Sequence, residues 1–422
     1  MSISVAVPRA RTRHLGPVRT AAEMERSVRR RVYLTWGLLS LNVLTFYPST
    51  WSGQPLILPI PSAFGKLVTQ GALPAALFMA LTINRRKLIR PSISWALYSL
   101  IVVEVAVTAL QAKHFGTIYR TFRLTTFVAT LWLLTPWWGR RDLLLIKCHL
   151  LVMGIVCGQV LLGFLVSPSR AMGGGRLGGD FWPTPPTQVA EFAAVTMGLV
   201  IVLWLVRQVS GKVTLFTCAG AGFILIETHT RTALVALCAG LLISGLSLIH
   251  VNRRVRKTFS WAAGTITVAV LSLSGFLTTW LARGQKSDQL TNLTGRTDVW
   301  GAVENMPRNF FQVIFGFGLS NKSYNGLPVD SNWLACYLDE GLAGVILSAI
   351  VILFVLISAW FLPRGKSRAL ALFLAVYVLI ASFTETGFSD ASTYLLELVL
   401  AASLLMPSAD PRDEVRPEGS LA

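Results

Sequence analysis

Residues 213–257 read VTLFTCAGAGFILIETHTRTALVALCAGLLISGLSLIHVNRRVRK. Two apolar runs, 213–227 and 231–250, flank the break Thr228-His229-Thr230. The basic cluster Arg253-Arg254-Val255-Arg256-Lys257 follows them. Read as one long span, the runs would put that cluster on the outer side of a membrane. Read as two, they return it to the side where Lys and Arg collect. The second reading sets the topology of the whole chain.

Working outward from there, apolar runs of membrane-crossing length, roughly 20 residues, recur from end to end. Twelve spans are expected, near 32–48, 63–83, 92–112, 117–136, 142–166, 187–206, 213–227, 231–250, 259–281, 333–361, 369–384 and 390–406. With the N-terminus inside, the inner segments are 1–31, 84–91, 137–147, 207–212, 250–257, 363–368 and the C-terminal tail. They hold 26 of the 38 Lys and Arg residues. Both termini are therefore expected on the inner side of a cytoplasmic membrane, in a multi-pass, all-α chain.

Composition agrees. Of 422 residues, 53% are hydrophobic and 14% charged, against about 25% charged in ordinary soluble proteins. A soluble enzyme is excluded. The net charge of +18 would suggest nucleic acid in a soluble protein. Here the basic loops account for it, and no nucleic-acid partner is expected. The five cysteines lie in or beside apolar runs without CxxC spacing and read as small buried hydrophobes.

The chain divides into a basic tail (1–31), spans one to nine (32–281), an external loop (282–332), spans ten to twelve (333–406) and a C-terminal tail (407–422). The tail before the first run carries eight arginines and no cleavage site, so it reads as retained rather than as a signal peptide. No internal repeat is found. Two outer segments stand out. The stretch 167–186, SPSRAMGGGRLGGDFWPTPP, is Gly- and Pro-rich and reads as loop. Within 282–332, GRTDVWGAVENMP can begin a short amphipathic helix with Thr297 or Asp298 near its cap.

Outer basic residues run against the positive-inside bias, so each needs a reason. Arg176, Arg231, Arg283, Lys286 and Arg296 together make a face able to hold an anion, since guanidinium groups stay charged and grip phosphate oxygens in pairs. Arg120, Arg123, Arg170, Arg308 and Lys322 lie on the same side, and the bland alternative for such residues is snorkelling to lipid phosphates. Glu191, at the outer end of span six, could face these arginines or the acceptor. Trp182, Trp300, Tyr324 and Trp333 could stack on sugar rings, or serve as an interfacial aromatic belt. Glu104 and Glu397 fall inside spans and suggest a buried pair or a proton path. No His cluster has ligand spacing, so no metal site is expected.

Several of these residues sit in segments that resemble a known family. Thr230-Arg231-Thr232-Ala233-Leu234 resembles the Ser-Arg-x-x-hydrophobic segment of the O-antigen ligase and O-antigen polymerase family. Gly295-Arg296-Thr297-Asp298-Val299-Trp300 resembles its Gly-Arg-x-x-x-Trp segment, and Phe315-Gly316-Phe317-Gly318 its Gly-hydrophobic-Gly turn. Asp330-Ser331-Asn332-Trp333-Leu334 with Asp339, Gly341 and Gly344 resembles its His-Asn-x-x-Leu-x4-Glu-x-Gly-x2-Gly segment. The resemblance covers roughly residues 215–350.

It implies a fold similar to multi-span lipid-dependent glycosyltransferases. The implied activity moves a glycan from an undecaprenyl-diphosphate carrier onto an acceptor hydroxyl of a glycan or lipid at the outer membrane face, without metal or other cofactor. Arg231 and Arg296 would bind the diphosphate, and Asp330 would assist the acceptor. Arg176, Arg283, Lys286, Glu191, Trp300, Trp333 and Tyr324 would line the substrate groove. Asp330 stands where ligases have His, and Ser331 where Asn is common, which tilts the reading toward polymerase. Asp330 also reads as an N-cap for span ten. The rival class is a secondary transporter or a flippase of lipid-linked glycans. The lack of a half-to-half repeat speaks against it.

Overall fold

The computed structural model describes residues 21–46, 53–90, 102, 105–107, 115–272, 296–319, 323–324 and 327–407. Among them the chain is almost wholly helical. The helices are α1 (Ala21–Val43), α2 (Ser62–Ile83), α3 (Phe115–Leu133), α4 (Leu144–Val166), α5 (Pro168–Ala171), α6 (Pro186–Leu205), α7 (Gly211–Thr228), α8 (Arg231–Leu248), α9 (Arg253–Ser272), α10 (Arg296–Glu304), α11 (Phe310–Phe315), α12 (Asn332–Phe361), α13 (Lys366–Ala381) and α14 (Thr393–Leu404). Six of them, α2, α4, α6, α7, α8 and α12, are long and apolar enough to cross a membrane. Their outward faces carry large apolar side chains such as Phe78, Leu165, Phe216 and Ile346. Exposed apolar surface on that scale suits lipid and not water.

The runs 213–227 and 231–250 form two separate helices, α7 and α8, broken at His229, whose φ of 49° caps α7 in the left-handed region. The first helix begins at Ala21, well before the apolar run at 32. Its leading turns, AAEMERSVRRR, are good helix formers, and Glu25 there bonds Arg140 at 2.6 Å. The third expected span, 92–112, lies mostly outside the described residues.

Helix α13 is the hub. It packs most closely on α8 and also touches α6, α12 and α14. Its Phe373 ring lies against Gly198 of α6 and Gly240 of α8, where any side chain would strike it. Small residues that let helices approach closely take the place of a hydrophobic driving force inside lipid.

The described basic linkers gather at one end of the bundle. Asn84 reaches the Leu133 carbonyl, Lys366 the Arg141 carbonyl, and Asn252 the Leu205 carbonyl. Ser244, near the end of α8, bonds Ala369 near the start of α13. The candidate site lies at the opposite end.

Candidate functional site

The Gly-rich stretch expected as loop holds a minimal hairpin, β1 (Met172–Gly173) with β2 (Arg176–Leu177), paired Met172 to Leu177. Gly174 and Gly175 turn it with φ of 56° and 70°, the all-left-handed two-residue turn for which Gly-Gly is suited. The hairpin sets Arg176 on the break between α7 and α8. Its Nε donates to the Thr228 carbonyl at 2.9 Å and its Nη2 to Thr230 Oγ1 at 3.1 Å. Arg231, half-buried, follows as the first residue of α8. Thr232 then meets Thr384, hydroxyl to hydroxyl, at 2.6 Å. The α7–α8 break thus touches both the hairpin and the turn after α13.

Arg296 is the first residue of α10. Its Nε donates to Asp330 Oδ2 at 3.0 Å, and its Nη2 lies 3.7 Å from Glu385 Oε1. The second contact is too long for a hydrogen bond, so that edge of the guanidinium faces Glu385 by charge alone. Asp330 is not the cap expected of it. Ser331 holds the N-cap position with extended backbone, and α12 starts at Asn332. The Asp330 carboxylate turns to the Arg296 guanidinium instead, where it meets a full positive charge and not a single backbone amide dipole.

Glu385 is the member the sequence reading passed over. It sits in the polar turn Thr384-Glu385-Thr386-Gly387-Phe388-Ser389-Asp390 between α13 and α14. Asn332 anchors that turn: its Oδ1 accepts from the Gly387 backbone at 2.9 Å and from Ser389 Oγ at 3.3 Å. Its own backbone N–H donates to the Ser382 carbonyl at 2.9 Å. The only sequence signal was a carboxylate in a seven-residue polar break between two apolar helices.

Two glycine turns hold the platform beneath Asp330. Helix α12 kinks at Gly341, whose φ is 65°, and Gly316 turns at 72°. A Cβ on Gly341 would overlap the backbone of Ile314 and Gly316, and one on Gly316 the backbone of Asp339 and Glu340. The Leu338 and Asp339 carbonyls at the kink accept instead from Phe317 at 3.0 Å and Gly318 at 2.8 Å. Kinks need such substitute donors.

The electrostatics follow from burial. Glu385 is pushed up to about 7, chiefly by burial and further by the Asp330 charge, against the pull of Arg296 and Arg176. Burial lowers Arg176, Glu385 raises it and Arg296 lowers it further, but an arginine stays charged in any case. Arg296 therefore faces Asp330, and Arg296 and Arg176 both face a carboxyl able to take or give a proton near neutrality.

The other expected site residues divide. Arg283 and Lys286 lie outside the described residues, as does Glu104. Tyr324 lies in the short strand β3 (Ser323–Tyr324), paired with β4 (Leu327–Pro328). Trp300, on α10, keeps its indole N–H buried without a hydrogen-bond partner among the described residues. Trp333 is held in packing: its indole bonds Ser382 Oγ at 3.0 Å and its ring meets Phe383 and Phe388. Glu191 does not reach an open face. It is 3% exposed and stands near Thr393, Glu385 and Glu397, because α6 packs that side of its first turns into the bundle. Among the arginines expected on the outer side, Arg123 ties the Asn42 and Ala391 carbonyls, and Arg308 the Val303 and Tyr337 carbonyls. Both serve as staples. Among the described residues no group of three or more His, Cys, Asp or Glu is placed to hold a metal ion.

No known family model matches the chain, and no curated protein does. What fold and site define is a class: an all-helical chain with membrane-length apolar helices and an arginine–carboxylate cluster at one end.

Proposed function

We propose that the chain is a polytopic membrane glycosyltransferase, a polymerase or ligase, using a polyprenyl-diphosphate-linked glycan as donor. In this reading twelve helices cross the cytoplasmic membrane, both termini lie inside, and the Arg296 cluster works at the outer face. The observation that carries it is the meeting of Arg296 with Asp330 and Glu385, beside Arg176 on the α7–α8 break. Three of the segments that resemble the ligase and polymerase family converge there from distant parts of the chain.

The chemistry is a single displacement. The acceptor oxygen bonds to the anomeric carbon, the bond from that carbon to the diphosphate breaks, and its electron pair leaves with the phosphate. Entry from the opposite face inverts the anomeric centre. Negative charge grows on the departing diphosphate, and fixed guanidinium groups stabilise it more in the transition state than before. A phosphate oxygen can take the edge of Arg296 that faces Glu385 at 3.7 Å. That exchange leaves Glu385 to receive the acceptor's proton, since a base works best with a pKa near the working pH. Asp330, bonded to Arg296 Nε, orients the arginine. The position of Asp330 in place of the ligase histidine favours polymerase.

The test is transfer by the purified chain from a synthetic polyprenyl-diphosphate oligosaccharide, followed by mass spectrometry, with Arg296→Ala and Asp330→Asn beside wild type. A ladder of repeat units that vanishes in Arg296→Ala supports a polymerase, and a single transfer supports a ligase. No transfer from several donors, together with carrier flux in liposomes, replaces this reading with the transporter.

A further inference from the structure

At the basic end of the bundle, where the C-terminus of α6 meets the N-terminus of α9, lies a cavity of about 640 Å³. It is lined by Trp204, Arg207, Arg253, Arg254, Lys257 and Trp261, with Thr258. It stands opposite the Arg296 site, about 30 Å away along α6 at 1.5 Å per residue. Nothing in the proposed transfer uses it.

Four cations share this cavity, and among the described residues none of them has a carboxylate within ion-pair distance. Other cations at the same end are neutralised. Arg140 pairs with Glu25 at 2.6 Å and with Asp142 at 3.2 Å, and Arg29 with Asp142 at 3.5 Å. One of the cavity's charges is also held in place. The Arg254 guanidinium lies over the Trp204 ring at 4.9 Å, and its Nη1 bonds the Trp204 carbonyl at 2.8 Å.

Arg207 ends α6 with φ of 60°. Its N–H reaches Trp204 at 3.0 Å and that of Gln208 reaches Leu203 at 2.8 Å. That is the turn in which glycine is the usual residue. An arginine there carries backbone strain and puts its cation at the cavity wall. The amides that open α9 are already capped by Asn252, whose Oδ1 accepts from Arg254 at 2.9 Å and Val255 at 3.4 Å. The side chains, rather than the helix end, make the positive field.

Like charges gathered around a pocket without a counter-charge repel one another, and a bound anion relieves them. Guanidinium groups match phosphate oxygens in geometry. Flanking indoles suit the boundary between headgroup and hydrocarbon. The volume falls in the range of small-ligand sites. We propose that this pocket binds a phosphate group, borne by an anionic lipid headgroup or by a soluble phosphate.

The test uses the full chain in detergent and native mass spectrometry, with short-chain phosphatidylglycerol as probe. Arg253→Gln with Lys257→Gln is expected to weaken lipid retention at least tenfold. Arg256→Gln with Arg364→Gln removes the same charge, but neither residue lines the cavity, and retention should stay within twofold. Arg253→Lys should keep most of it, which separates lost charge from lost folding. Equal losses in the two double variants would overturn the proposal, as would equal retention of a diacylglycerol lacking phosphate. Inorganic phosphate is the second arm. Competition at millimolar concentration, with the same dependence on Arg253 and Lys257, assigns the pocket to a soluble phosphate. Absence of competition assigns it to the lipid headgroup.

Discussion

Arg296 and Arg253 each open a helix, at opposite ends of the bundle, and their surroundings differ in one respect. A cation at a helix N-terminus opposes the helix dipole. Arg296 is compensated by Asp330 at 3.0 Å and Glu385 at 3.7 Å. Arg253 shares a cavity with Arg207, Arg254 and Lys257 and has no carboxylate partner among the described residues. The first arrangement is a balanced cluster containing a carboxyl that titrates near neutrality. The second is a net positive pocket that waits for an anion. One can move a proton, and the other can only hold charge.

The comparison is broken most sharply at Arg296. Arg296→Ala should reduce glycan transfer about 10²–10³-fold, the size of a lost transition-state anion contact, read as product by mass spectrometry. An unchanged rate would remove the catalytic half of the comparison.

Glu385 comes next. Glu385→Gln should slow transfer by about 10², the lower range for a general base. It should also erase a fall in wild-type rate as the pH drops through about 7, the value to which burial raises this carboxyl. The same group marks stability. Its folded pKa lies above its ordinary carboxylate value, so it stabilises fully below that ordinary value, and the contribution is lost as pH rises through about 7. The thermal midpoint of wild type should therefore fall between pH 5 and 8, and Glu385→Gln should flatten that slope. Equal slopes in both would show that Glu385 is not the buried acid described.

A smaller effect is expected at Thr230, which accepts from Arg176. Thr230→Val removes about 1 kcal/mol of hydrogen bonding while Arg176 keeps the Thr228 carbonyl, so transfer should fall about fivefold. The smallest lies at Asp142, paired with Arg140 and Arg29 at the basic end. Arg140 holds the Asp142 carboxyl below its ordinary range against the opposing pull of burial. Its contribution is thus present above the ordinary value and lost as pH falls through the folded one. For a partly exposed pair the loss in Asp142→Asn should be about 0–1 kcal/mol at neutral pH and should shrink with salt. A loss of several kcal/mol in chemical unfolding would make this pairing the tighter of the two ends.

Much of the site was legible in one dimension. Arg231, Arg296 and Asp330 stood out because outer arginines oppose the inner bias and because their segments resembled a family pattern. The break at 228–230 was legible because Arg253–Lys257 had to return to the basic side. Glu385 was not, since a lone carboxylate in the short break between spans 369–384 and 390–406 carries no motif, and nothing in one dimension brings it to Arg296. Glu191 was expected to face the Arg cluster or the acceptor, and its burial beside Glu397 was not legible, because sequence gives depth along a helix and not the direction a side chain points. Trp333 read as a sugar platform or as belt or packing, because an aromatic ring reads the same whether it faces a groove or Phe383 and Phe388.

By itself the sequence determined that the chain is helical and apolar throughout, where most helices start and stop, and that its basic linkers share one end. Those properties are local sums of side-chain transfer energy and charge, and they need no knowledge of neighbours. Only the tertiary structure decided that Arg176, Arg296, Asp330 and Glu385 meet, that Asp330 pairs instead of capping, and that four cations line one pocket with no carboxylate partner among the described residues. Partners far apart in sequence are chosen by packing, through contacts such as Phe373 against Gly198 and Gly240, and burial then sets which charges must find each other.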